Sequence, residues 1–319
     1  MNNILSVFFC LSITTQFGYS QDLEYETVSD DPGKAMSQLY IGIEPIFFDM
    51  NGINKFAMGW GLYAHYHVKQ NLMFQARMQT PYWRGILDGA NYPTMSDRKE
   101  GTLFNDFNPK QLMYVDLNAS YKLLRKDRPH RPVIIPLGNG GEINNYIDGA
   151  FATKRTQLMA RAGVLMRNTT VTLKDVPAAA DWGGSSNFYT NMTSTSIYAG
   201  VSINRMWELV ANITELDIGR EIARKHKSVY LDLMFAPVMN VEDLSKNGKK
   251  VPVVGDDTDN GYLKKNRLGA RIGVANMPEY KNNLTGWELG IFPSVVNKEN
   301  KGFFFKWWWI IDVYSSEKS

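Results

Sequence analysis

From Lys55 to Val68 the chain alternates without a break. Phe56, Met58, Trp60, Leu62, Ala64, Tyr66 and Val68 fall on one side; Ala57, Gly59, Gly61, Tyr63, His65 and His67 fall on the other. A period of two places the two sets on opposite faces of a β-sheet. The same rhythm marks Gln38 to Phe48, Asn71 to Thr80, Gln111 to Leu123, Arg155 to Arg167 and Thr195 to Asn204. It returns in Trp207 to Thr214, Ser228 to Met239, Arg267 to Ala275, Thr285 to Val295 and Gly302 to Tyr314. In the first segment Phe47 goes with Leu39, Ile41 and Ile43, opposite Tyr40, Gly42 and Glu44. Tight turns are expected at Asn51-Gly52, Lys69-Gln70 and Asn204-Arg205. Long connections are expected at 81–110, 124–152, 168–192 and 240–263.

The second face of these segments decides the fold class. It mixes small residues with isolated charges: Arg77, Asp116, Arg161, Asp232, Arg271, Glu288 and Lys306. A sheet facing water would carry Lys, Glu and Thr there. The crowded interior of a closed barrel suits small residues beside compensating charges, with the apolar face turned to lipid. The segments are also long, about 10–14 residues, nearer to a tilted membrane strand than to a soluble one. The closing run Phe303-Phe304-Phe305-Lys306-Trp307-Trp308-Trp309 concentrates aromatics. Trp307, Trp308 and Trp309 are expected at headgroup level, where an indole keeps its ring in apolar surroundings and its N–H near water. The expected fold is all-β, a transmembrane antiparallel β-barrel over residues 37–314. Single-chain barrels have an even strand number, so the eleven segments point to about twelve strands, with ten and fourteen open. Thr102–Phe107, Pro132–Pro136 and Thr170–Leu173 are the candidates for a missing strand.

The ends add a compartment. Residues 1–20 read as a secretory signal with a short apolar core, Ile4 to Ile13, and cleavage before Gln21. Residues 21–36 then form an irregular polar lead-in and 315–319 a polar tail. The one cysteine, Cys10, lies inside the signal. The processed chain therefore has no disulfide and no thiolate site. The Asn-x-Ser/Thr matches at Asn118, Asn168, Asn191, Asn212 and Asn283 suit an Asn- and Thr-rich chain by chance. No later segment has the length of apolar residues that a transmembrane helix needs. A net charge of +3 argues against electrostatically driven nucleic-acid binding.

Signal, two-faced strands and aromatic closing strand together resemble outer-membrane β-barrel proteins, in particular those of Bacteroidota-like bacteria. The resemblance covers most of residues 37–314. It implies the cell outer membrane as location, outer-membrane lipid as the surrounding partner and other envelope proteins as candidate partners. Such barrels commonly end on an aromatic residue; here Tyr314 is followed by Ser-Ser-Glu-Lys-Ser.

Candidate chemistry is sparse. His65 and His67, two apart, share the interior face, where neutral imidazoles could hold a metal or serve a lipid hydrolase. No distinctive serine motif accompanies them, and a hydrogen-bonded cluster with Glu44 and Tyr63 is the plainer reading. Gly255 to Gly261 looks like a calcium loop, but with Asp256 as position one, position twelve is Arg267, where a bidentate Glu is required. Gly138-Asn-Gly-Gly141 lacks the lysine and helix start of a phosphate loop. The basic stretch Arg125 to Arg131 suits a solvated loop, acidic headgroups or a partner.

No catalytic residue, metal or cofactor is expected. The interior charges carry the mechanistic expectation: Arg77, Arg161 and Arg271 pairing with Asp116, Asp232 and Glu288 would fill the lumen. Segregated signs would instead line a solute path. The reading is a non-enzymatic structural or accessory subunit of an envelope complex. A small passive channel and a barrel-embedded lipid hydrolase are the alternatives, and a soluble secreted β protein is the structural rival.

Overall fold

The computed structural model describes residues 25–33, 39–51, 55–68, 71–86, 113–137, 145–173, 188–213, 219–255, 263–277, 283–296 and 302–316. Among them every regular element is a strand. In chain order these are β1 (Tyr25–Ser29), β2 (Leu39–Asn51), β3 (Lys55–Val68), β4 (Leu72–Ile86), β5 (Met113–Leu137), β6 (Asn145–Leu173), β7 (Phe188–Ile213) and β8 (Gly219–Val241). There follow β9 (Leu244–Lys246), β10 (Lys249–Val251), β11 (Lys264–Asn266), β12 (Leu268–Met277), β13 (Leu284–Ile291), β14 (Ser294–Val296) and β15 (Phe303–Ser316).

Ten of these strands close a ring. The order is β7-β6-β5-β4-β3-β2-β15-β13-β12-β8, and β8 pairs back onto β7. Every pairing is antiparallel. Closure removes the open edges that an isolated sheet would present. The chain enters at Leu39 and leaves at Ser316, which pair with each other. Both therefore lie at one end of the ring, here the near end.

Ten lies within the expected range of ten to fourteen, and one strand explains why it is below twelve. Residues 195–204 and 207–214 are not two strands joined at Asn204-Arg205. Residues 195–213 belong to β7, which runs straight through, Asn204 pairing with Gln157 on one side and Ser228 on the other, and Thr214 lies outside the described residues. A residue laddered on both sides has no freedom to turn, whatever its local preference. Pro132–Pro136 and Thr170–Leu173 are not additional strands but parts of β5 and β6. Thr102–Phe107 lies outside the described residues, as do the signal segment, Gly138 to Gly141 and most of Gly255 to Gly261.

The connections sort by end. The strand ends that flank the long intervals 87–112, 174–187 and 242–267 lie at the far end; the first two intervals are outside the described residues. The expected loop 124–152 is instead a hairpin of strand, since β5 runs to Leu137 and β6 starts at Asn145. It projects from the near end beside a second projecting hairpin, β7–β8. The lead-in is not wholly irregular: β1 pairs with the last residues of β7, Tyr25 opposite Ile213. Asp30 also accepts hydrogen bonds from the Thr153 amide and hydroxyl at 2.7 Å each. Tyr25, Val133, Ala150, Ala152, Trp207, Leu209, Ala211, Ile213 and Ala223 pack together in these projections. At the far end β9 and β10 form a hairpin whose turn, Asn247-Gly248, holds both residues at positive φ (51° and 78°). Asn-Gly is the dipeptide that such a turn favours. Leu244, Val251, Val253, Leu263 and Val295 from these connections pack on Leu173, Phe188, Met192 and Met239.

The two faces have opposite chemistry. Ile41 and Ile43 on β2, Trp60 and Leu62 on β3, Phe74 and Met78 on β4, and Leu117 on β5 are exposed outside. So are Met166 on β6, Ile197 and Val201 on β7, Leu231, Leu233 and Phe235 on β8, Leu268 on β12, Ile291 on β13 and Ile311 on β15. The charges are buried inside. That inverts the soluble pattern, in which the greasy face is hidden. Phe47 departs from its expected face: it is buried in the ring. A bulge between Glu44 and Phe47, at Pro45, shifts the parity of β2 by one.

Candidate functional site

The ring interior is the candidate site, because the polar faces of all ten strands converge there. Among the described residues, five cations, Arg77, Arg161, Arg167, Arg271 and Lys306, are buried in the ring with five carboxylates, Glu44, Asp49, Asp116, Asp232 and Glu288. Buried charges are tolerated only when paired and hydrogen-bonded, since desolvation of each costs several kcal/mol, ~5 as an order of magnitude.

Arg271 is the hub. Its Nη1 donates to Asp116 Oδ2 at 2.6 Å, to Tyr114 Oη at 3.0 Å and to Glu288 Oε2 at 3.4 Å, and its Nε donates to Asp232 Oδ2 at 2.9 Å. Asp232 also accepts from Arg161 Nε at 3.1 Å. Asp116 accepts a second bond from Tyr198 Oη at 2.6 Å. Arg77 grips Glu44 through Nη2 (2.8 Å) and Nε (3.2 Å) and approaches Glu288 Oε1 at 3.6 Å. Gln79 donates to Glu44 Oε1 at 2.7 Å and accepts from Lys306 Nζ at 3.1 Å. Lys306 lies opposite Glu288 on β13 and Asp49 on β2, and its ammonium sits 2.9 Å from the Tyr114 ring centroid.

Aromatic faces supply the remaining contacts. The guanidinium of Arg77 lies 3.9 Å from the Trp308 centroid, Arg161 4.2 Å from Tyr230 and Arg271 4.4 Å from Tyr198. A desolvated cation on a ring face is worth about 2 kcal/mol. Tyr114, Leu165, Tyr198, Met234, Phe292 and Phe304 pack as one apolar cluster beside the charges. Glycines make room for the rings. A Cβ on Gly273 would lie 2.3 Å from Tyr230 Cζ, and one on Gly163 would lie 2.5 Å from Tyr198 Cζ. Lined by Gln75, Asn118, Arg161, Asn204 and Ser228, a cavity of about 70 Å³ remains in the interior.

The chain matches no protein-family model and no curated protein. What the interior can do is set by its own geometry: among the described residues, buried cations and carboxylates meet one another there.

All seven interior charges singled out in the sequence are buried here, and the six expected to pair do meet. Arg271 contacts all three expected carboxylates, Arg161 contacts Asp232, and Arg77 contacts Glu288. The main partner of Arg77 is Glu44, which the sequence placed beside the histidines instead. Arg77 and Asp116 are directly opposite on β4 and β5, yet the longer reach to Glu44 wins. The tyrosines Tyr114, Tyr198 and Tyr230 were not singled out. Their signal was parity, since each lies two residues from a buried polar or small position: Asp116, Gly200 and Asp232.

His65 and His67 both point inward and are buried. Their rings are 5.1 Å apart, and His65 stacks on Tyr40 at 5.1 Å with an 11° interplanar angle. Gln75 Nε2 donates to Tyr63 Oη at 3.0 Å, and that hydroxyl lies 3.5 Å from His65 Nδ1. Among the described residues, no group of three or more His, Cys, Asp or Glu is placed to hold a metal ion.

Trp308 is corrected. The period of two turns it away from Trp307 and Trp309, and it is 3% exposed, inside the ring under Arg77. Trp307 and Trp309 remain on the outer face, half-buried, Trp307 packed 5.5 Å from Phe48.

Proposed function

We propose that this chain is a non-enzymatic outer-membrane β-barrel whose interior is closed, acting as a structural or accessory subunit of an envelope complex. The observation that carries this is the Arg271 hub, which joins β12 to its neighbours β8 and β13 and, through Asp116, to β5 across the ring. Interior side chains spent on one another leave no lined route for a solute. Function then resides in what the barrel presents at its ends.

The apolar outer face supports hydrocarbon as its surroundings. On β8 the exposed apolar run from Val229 to Val238 rises about 23 Å at the usual strand tilt, close to the apolar band of membrane barrels. The connections support an orientation with the termini in the periplasm and the long far-end segments outside. The aromatic packing of His65 and His67 favours a structural pair over a hydrolase centre.

Planar-bilayer recording of the purified protein tests closure: bilayers should stay silent, and steady open-pore currents would establish the passive channel instead. Native purification from the envelope tests the accessory role. Other envelope proteins should travel with the barrel, and a lone monomer would contradict that role.

A further inference from the structure

Beyond the ring, the two near-end hairpins enclose a cationic cleft of about 640 Å³. One wall comes from β5–β6, with Lys126, Arg128 and Lys154. The other comes from β7–β8, with Arg205, Lys225 and Lys227. Among the described residues that line it there is no Asp or Glu. The cleft has a greasy component as well, from Val133, Met206 and Trp207.

The strand register shows how this cleft relates to the apolar outer face. One cross-strand row reads Leu124, Leu158, Ile203, Val229, on β5, β6, β7 and β8 in turn. Two residues further towards the near end, on the same face, the next row reads Lys126, Thr156, Arg205, Lys227. Apolar surface therefore gives way to positive charge within one step on three of four adjacent strands. Leu124 is 66% exposed, so the apolar row borders the cleft without being covered.

The placement is unfavourable for the protein alone. Arg205 faces Lys227 and Arg128 faces Lys154 as direct cross-strand partners. Like charges directly opposite destabilise a sheet. An anion lodged between them would reverse the sign of that interaction.

We propose that this cleft binds the phosphate headgroup of an anionic phospholipid from the leaflet at the near end, with its acyl chains along the Leu124–Leu158–Ile203–Val229 row. The inference rests on the membrane-barrel reading above. An amphipathic ligand fits because charge and apolar surface adjoin on one face. A free phosphate would use only the cationic half, and an acidic protein segment would leave the apolar row uncovered.

The test uses the full barrel in nanodiscs of phosphatidylcholine with a minor fraction of phosphatidylglycerol, followed by release into detergent and native mass spectrometry. Wild type should retain phosphatidylglycerol in preference to phosphatidylcholine. Lys126→Gln/Arg205→Gln/Lys227→Gln should lower that preference about a hundredfold, since each surface cation contributes about fivefold. A control with Lys249→Gln/Lys250→Gln/Lys264→Gln, at the far end, should keep it. Without phosphatidylglycerol the row variant should resist heat better than wild type, because its like-charge pair is gone; this also shows that it folds. Equal retention by wild type and row variant overturns the site. Displacement of the lipid by millimolar inorganic phosphate alone overturns the lipid assignment in favour of a free phosphate site. Failure of the protein to enter nanodiscs at all is a different result and overturns the membrane reading itself.

Discussion

Arg271 and Asp116 are 155 positions apart in the chain and 2.6 Å apart in space. Three strands separate β12 from β5 around one side of the ring and five around the other, so the contact crosses the interior. It joins halves of the barrel that no backbone ladder connects directly.

Removing that hub should be costly. Arg271→Ala leaves Asp116, Asp232 and Glu288 buried without their shared cation. Loss of one partner of a buried pair costs about 3–5 kcal/mol. Urea unfolding in lipid vesicles should show a loss of that size for Arg271→Ala. A double cycle with Asp116→Asn should give a coupling above about 0.5 kcal/mol. An unchanged midpoint for Arg271→Ala would mean that the plug adds nothing to stability.

Gly273 and Tyr230 form a close fit that side chains larger than hydrogen break. Gly273→Ala should destabilise by about 1–3 kcal/mol, because the new methyl meets the Tyr230 ring. Tyr230→Ala in the same chain should remove the clash, so that Gly273→Ala then costs little. Thermal unfolding of the four proteins in detergent checks this, and additive losses would refute the contact.

Asp127 sets a pH dependence in the near-end hairpin. The Arg125 side chain hydrogen-bonded to it, with Arg155 beyond at 3.0 Å, holds its carboxyl down to about 2. A depressed carboxyl stabilises the folded state above its unfolded value, near pH 4, and that contribution fades as pH falls towards 2. Amide exchange at residues 125–128 and 154–156, corrected for intrinsic rates, should be level above about pH 4 and rise below it. Asp127→Asn should abolish the step, and a step that persists in that variant would assign it elsewhere.

The alternation in the sequence was enough to place most strands and the interior charges, because a side-chain period of two is a local property. Register is not. Whether Arg77 meets Asp116 or Glu44 depends on how β2, β3 and β4 slide against one another, and the bulge at Pro45 that moves Phe47 and Asp49 inward depends on pairing with β3. Asn204-Arg205 read as a turn for the same reason, its ladders on both sides being invisible in a linear pattern. The extended hairpin over 124–152 was hidden by a run of charges. Those charges suit a loop when each is considered alone, but here they occupy consecutive rungs of β5 and β6.

The outermost claim is that hydrocarbon, not water, meets the exposed apolar face. Leu233, on β8, is 66% exposed and lies between Leu231 and Phe235, midway along the apolar run. The decisive measurement is the folding free energy of Leu233→Arg in lipid vesicles. A barrel in a bilayer should lose about 2–4 kcal/mol. A change within about 0.5 kcal/mol, as expected for a water-exposed surface, would contradict the account.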